Sequence, residues 1–149
     1  MSSYYLIPTA IAALVSMVLA GYVWRYRQNA IAGQFIRMLI ALAVWSTAAS
    51  FENLAYDLDG KIFWAKAAYL GLPFLPVLWL FFILDYRASG SRRSNPLRRL
   101  LLVVPALSLI LAWTNDYHHL IWTDMSLATV KGSRITIYEF GPYFWISVA

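Results

Sequence analysis

From Tyr4 to Trp24 the chain reads YYLIPTAIAALVSMVLAGYVW, without a single charge. A run of this kind fits a bilayer, whose hydrocarbon core takes about 20 apolar residues per helix. Three more apolar segments follow, at about 35–56, 62–86 and 98–113; the apolar part of the last is only Leu100 to Trp113. A fifth begins in FGPYFWISVA, where Gly141-Pro142 suits a helix start because proline in the first turn forfeits no needed hydrogen bond. With 61% of its 149 residues hydrophobic and 13% charged, the chain is more apolar than a soluble domain of this size. The expected fold is an all-α integral membrane bundle, a single domain over 1–149 with four transmembrane helices and the start of a fifth. An outer loop at 114–139 is expected to carry a small β-hairpin, because SLATV and RITIYEF flank a glycine-containing turn.

The charges set the expected orientation. Arg25, Arg27 and Arg37 flank the first linker, and Arg87, Arg92, Arg93, Arg98 and Arg99 flank the third. Loops rich in arginine stay cytoplasmic, so the N-terminus is expected outside, in a multi-pass protein of the cell inner (plasma) membrane. Arg25, Arg27, Arg87, Arg92, Arg93, Arg98 and Arg99 then act as cytoplasmic anchors against anionic lipid. The net charge of +5 is accounted for by topology, and nucleic acid is not an expected partner. The N-terminal run has no basic residues before it, and it is too long for a signal-peptide core, so it reads as a retained span. There is no cysteine, which excludes disulfides, thiol catalysis and Cys-based metal sites.

Charges inside the apolar segments are the candidate functional groups. Glu52 lies near the end of the second segment and Lys66 near the start of the third. With DLDG read as a short loop, both sit roughly 6 Å below the outer surface. An intramembrane ion pair between them is expected, the alternative being two side chains that snorkel outward. Pro73 and Pro76 fall near the middle of the third segment and are expected to kink it, leaving the carbonyls of Tyr69 and Leu72 without their helical partners. Tyr69, Gly71, Leu72, Pro73 and Pro76 thus mark a pocket or hinge, with ordinary packing irregularity as the alternative. Pro105 takes the same reading in the fourth segment.

His118 and His119, with Asp116 and Asp124 nearby, stand in the outer loop with Trp122. Adjacent histidines seldom converge on one ion, and interfacial hydrogen bonding is the expectation there, with no metal. Asp85 is expected to pair with the Arg92–Arg99 cluster. Lys66 lies too near the interface for a retinal Schiff base. No phosphate loop or catalytic arrangement is present, so neither a cofactor nor an enzymatic activity is expected of this chain.

The order of features carries a family resemblance. Trp45 and Glu52 precede a short outer loop; Trp64, Tyr69, Gly71 and Pro76 follow it; His119 and Trp122 lie in the second outer loop; and Gly141, Pro142 and Phe144 open the fifth segment. This pattern resembles the N-terminal seven-helix sensor region of bacterial histidine kinases, also found on some diguanylate cyclases. The resemblance covers nearly the whole chain. It implies a sensory input domain of a two-component-type receptor, which passes an unknown small-molecule or membrane-borne stimulus to a cytoplasmic output domain. The family pattern has seven spans and an output domain, whereas this sequence stops early in the fifth, as a fragment or a gene remnant. Expected partners are the lipid bilayer and either a membrane protein or a second copy. The alternative function is a structural accessory subunit packed laterally in a larger membrane complex, with Ala41, Ala43, Ala48 and Ala49 allowing close helix approach. A transporter fragment has less behind it, because no acidic group lies near the midplane.

Overall fold

The computed structural model describes residues 3–87, 96–130 and 133–148. Helix α1 (Ser3–Val23) ends in a 3-10 turn at Trp24–Tyr26. Helix α2 (Ala30–Leu54) returns antiparallel to it, as the hydrogen bond from Ser50 Oγ to Thr9 Oγ1 (3.0 Å) requires. The start of α2 is five residues earlier than expected, because Asn29 caps it: Oδ1 accepts from Ile31 N at 2.8 Å and Ala32 N at 3.4 Å. Asp57 caps α3 (Leu58–Ala68) in the same way, accepting from Gly60 N at 2.8 Å. What reads as a loop, DLDG, is therefore mostly the first turn of a helix.

The third segment is broken, but the prolines sit at the start of the second piece and not in its middle. After α3, a 3-10 turn at Leu72–Phe74 carries Pro73, and Pro76 lies in the first turn of α4 (Leu75–Arg87), where a missing N–H costs nothing. The Leu72 carbonyl, expected to lack a partner, accepts from Leu75 N instead. Tyr69, Gly71 and Leu75 keep right-handed helical dihedrals, so the column continues from Leu58 to Arg87 through the break. Gly71 permits that column to lie on α2: a Cβ there would stand 2.2 Å from the Ala41 carbonyl oxygen.

Three columns are long and apolar enough to cross a membrane, Leu6–Tyr26, Ala30–Leu54 and Leu58–Arg87. The fourth segment is divided at Leu102 into α5 (Pro96–Leu101) and α6 (Val103–Trp113), neither of which reaches a span alone. Pro105 lies one turn into α6 and cannot donate to the Leu101 carbonyl, which places the interruption just upstream. Helix α7 (Asn115–His118) then leads into an antiparallel hairpin of β1 (Trp122–Val130) and β2 (Ser133–Phe140). The register pairs Trp122 with Phe140 and Val130 with Ser133, with a bulge between Trp122 and Asp124. The fold is thus mostly helical with a small sheet, and its turn at Lys131 and Gly132 lies outside the described residues. Helix α8 (Pro142–Val148) starts at the expected proline.

Burial is inverted relative to a soluble protein. Ser16, Gln34, Ser46, Ser50 and Ser108 are buried, while Leu14, Val18, Ile110 and Trp79 are more than half exposed. Beside a core that holds Ile36, Leu39, Phe81, Ile121 and Trp122, many small and weakly polar residues face inward and many large apolar ones outward, as expected where the surrounding solvent is hydrocarbon.

Candidate functional site

The end of the bundle that carries the hairpin gathers the charged side chains. Lys66 and Glu52 are both there, but they are not partners. Lys66 Nζ lies 2.6 Å from Asp116 Oδ2 and 2.8 Å from Oδ1. Glu52 Oε1 accepts from Tyr138 Oη and from Thr136 Oγ1, the latter at 3.3 Å. The expected Glu52–Lys66 pair fails because α3 begins at Leu58. Lys66 is then eight residues, about 12 Å, along its helix, while Glu52 is two residues, about 3 Å, from the end of α2.

The cation level with Glu52 is Lys61. Its side chain is only 2% exposed, and Nζ donates to the Glu52 carbonyl oxygen at 2.9 Å. The ammonium thus sits on the last turn of α2, where unsatisfied carbonyls and the helix dipole favour a positive charge. Sequence reasoning missed Lys61 because it began the third segment at about Ile62, one residue beyond it; an Asx-type cap at Asp57 was the signal that moves it into a helix.

Asn115 holds the loop in place. Its Oδ1 accepts from Ile121 N (2.9 Å) and Trp122 N (3.1 Å), and its Nδ2 donates to the Trp122 carbonyl oxygen (2.9 Å). The chain reverses at His119, the one described non-glycine residue with positive φ, at 51°. His118 is structural: Nδ1 accepts from Leu120 N at 3.1 Å, so Nε2 carries the proton and donates to Thr114 Oγ1 at 3.0 Å. Gly141 packs on this turn, since a Cβ there would stand 2.4 Å from the Leu120 carbonyl oxygen.

Trp122 is the centre of the aromatic contacts. It meets Tyr69 edge to face, ring centroids 5.2 Å apart at 83°, and Tyr138 at 6.1 Å. With Ala65, Ala112 and Ile121 it forms the buried cluster beneath the hairpin. Burial, followed by the neighbouring Glu52 carboxylate, pushes the Tyr138 phenol well above its ordinary range, so it remains a donor. A path of direct contacts thus runs from Glu52 through Tyr138 and Trp122 to Tyr69, the residue that ends α3 at the break. Beside it lies a cavity of about 240 Å³ lined by Lys66, Asn115, Asp116, His119, Trp122 and Asp124, among others. No group of three His, Asp or Glu able to hold a metal occurs among the described residues. A larger groove of about 570 Å³, lined by Met17, Ile40, Val44, Thr47, Trp64 and Leu70, has no charged group and opens on the flank of α1–α3.

The opposite end carries most of the arginines. Arg25 stacks over Tyr22 (4.4 Å) and Arg27 over Trp24 (5.6 Å). Asp85, 2% exposed, pairs with Arg98 at 2.6 Å, the expected bridge, and Arg98 lies over Phe81. Arg87 and Arg99 are exposed. Arg92 and Arg93 lie outside the described residues.

Comparisons with curated proteins and with solved structures gave no match. A family model described as the N-terminal 7TM region of histidine kinase matches residues 8–149. With three membrane-length helices, an inverted core and a match along nearly its whole length, the chain belongs to the family of N-terminal seven-transmembrane regions of histidine kinases.

Proposed function

We propose that this chain is the signal-input region of a two-component-type receptor, which detects a stimulus at its hairpin end and passes it to a cytoplasmic output domain. The hairpin end faces outward and the arginine end faces the cytoplasm of a bacterial inner membrane, with lipid and a second copy of the receptor as partners. The observation that carries the mechanism is the contact of Trp122 with Tyr69. A shift of the hairpin moves Tyr69, the C-cap of α3, and the break between Tyr69 and Leu75 converts that movement into a change of angle of α4. Gly71, seated on the Ala41 carbonyl, is the pivot.

The test uses the native receptor in membranes, with phosphorylation of its output as the readout. Gly71→Ala, which wedges the pivot, and Trp122→Ala, which removes the contact, are each expected to change basal output several-fold. If both proteins insert and fold while output stays unchanged, the hinge reading is wrong. A native polypeptide ending near Ala149 with no output domain removes the receptor reading. A second function, a structural subunit in a larger membrane complex, has the apolar groove on α1–α3 in its favour. However, Ala41, Ala43 and Ala48, which suit close approach to a partner helix, are already buried within this chain.

A further inference from the structure

The cavity at the hairpin end has a charge pattern that its own residues leave incomplete. Lys66 enters it from the same face of α3 as Leu58 and Ile62, at successive turns. The Lys66 side chain is 11% exposed, while the Asp116 side chain that meets it is 66% exposed. Lys66 is therefore the fixed pole of the pair and Asp116 the exchangeable one. Another part of the wall contributes Asp124 of β1. No cation among the described residues pairs with Asp124. Its partner across the ladder is Glu139, so two like charges stand opposite one another, an unfavourable arrangement that a bound cation relieves.

Two other cavities differ. The flank groove has no charge, and a third, of about 660 Å³ at the turn between α1 and α2, has only Arg25. Of these three, only the hairpin-end cavity combines a buried cation with a carboxylate in excess. A ligand satisfying both poles brings an anion to Lys66 and a cation to Asp124. At about 240 Å³ the space is below the usual range for drug-sized molecules. Trp122 and Met125 give it apolar wall for a short hydrocarbon chain. We propose that this cavity binds a small zwitterion, a free amino acid or ω-amino acid, whose carboxylate replaces Asp116 on Lys66 while its ammonium pairs with Asp124. Replacement frees α7, and with it the Asn115-held turn that positions Trp122 on Tyr69.

The inference rests on the sensor reading for its physiological meaning, and its test is independent of any output domain. The full chain in lipid nanodiscs is titrated calorimetrically with glycine, β-alanine, 4-aminobutyrate and 6-aminohexanoate, with butylamine and butyrate as single-charge controls. At least one zwitterion is expected to bind about tenfold or more tightly than either control, the equivalent of one retained charge pair. Lys66→Met is expected to abolish binding. Asp124→Asn, at an exposed strand position, is expected to weaken it by about tenfold and keeps the test decisive if the lysine variant fails to fold. Controls that bind as well as the zwitterions, a full-affinity Asp124→Asn, or no binding by a chain of native helicity would each overturn the proposal. A failed titration leaves the hinge experiment standing, and the reverse also holds.

Discussion

The Lys66–Asp116 ion pair shows how burial, more than distance, sets the consequence of removing a residue. Lys66 is nearly buried and Asp116 largely exposed, at a separation of 2.6 Å. Asp116→Ala leaves an ammonium in a poorly solvated position without a counter-ion, and is expected to cost about 1–3 kcal/mol. Lys66→Met leaves a carboxylate that water already reaches and adds an apolar side chain to an apolar helix; it is expected to change stability by less than about 1 kcal/mol. Thermal unfolding of both variants in the same detergent checks the order, and a lysine variant less stable than the aspartate variant contradicts it. Lys66 was legible in the sequence as a functional charge, because an ammonium in an apolar segment needs a reason. Its partner was not, since Asp116 lies fifty positions away and only the folding of the outer loop brings it near.

At the scale of elements, short capping side chains decide where helices begin, and those decisions propagate into the site. Asp57 sits in the connection between two columns, and the Gly60 N–H that it accepts holds its carboxyl below the ordinary value of 3.8. A carboxylate with a depressed pKa stabilises the folded state above its unfolded pKa, and that contribution is lost as pH falls through the folded one. The first turn of α3 is thus expected to fray only below about pH 3.8. Amide exchange at Gly60 measures this, and Asp57→Asn, which keeps an acceptor but cannot titrate, is expected to make the protection of that amide, relative to its intrinsic exchange rate, independent of acid. Protection at Gly60 that is unchanged through this range in the wild-type chain would rule out the cap as the cause. The hairpin was legible from its β-branched runs around a glycine turn. The four extra residues of β1, Trp122 to Met125, were not, because Thr123 and Asp124 stand side by side and break the alternation at the bulge, so that only pairing with β2 makes them a strand.

The whole molecule is a bundle with charge sorted to its two ends, most of the arginines at one and six of the seven carboxylates at the other. The sorting predicts a sidedness that is easily tested, since the chain has no native cysteine. Leu127→Cys in the exposed part of β1 is expected to react with a membrane-impermeant maleimide in intact cells, and Arg27→Cys at the α1–α2 turn only after lysis. The opposite pattern would invert the topology and move the proposed ligand cavity to the cytoplasmic side. The membrane setting, the three long columns, the break near Pro73 and Pro76, the hairpin and the family were all legible in the chain's local pattern of residues. Each of these rests on local composition, which has to match hydrocarbon or water segment by segment. Which charges meet, the seating of Gly71 on Ala41 and the reach of Trp122 to Tyr69 follow from packing alone. Those contacts join residues far apart in the chain, and depth along a helix depends on where its cap falls, so a shift of a few residues at Asp57 exchanged one ion pair for another.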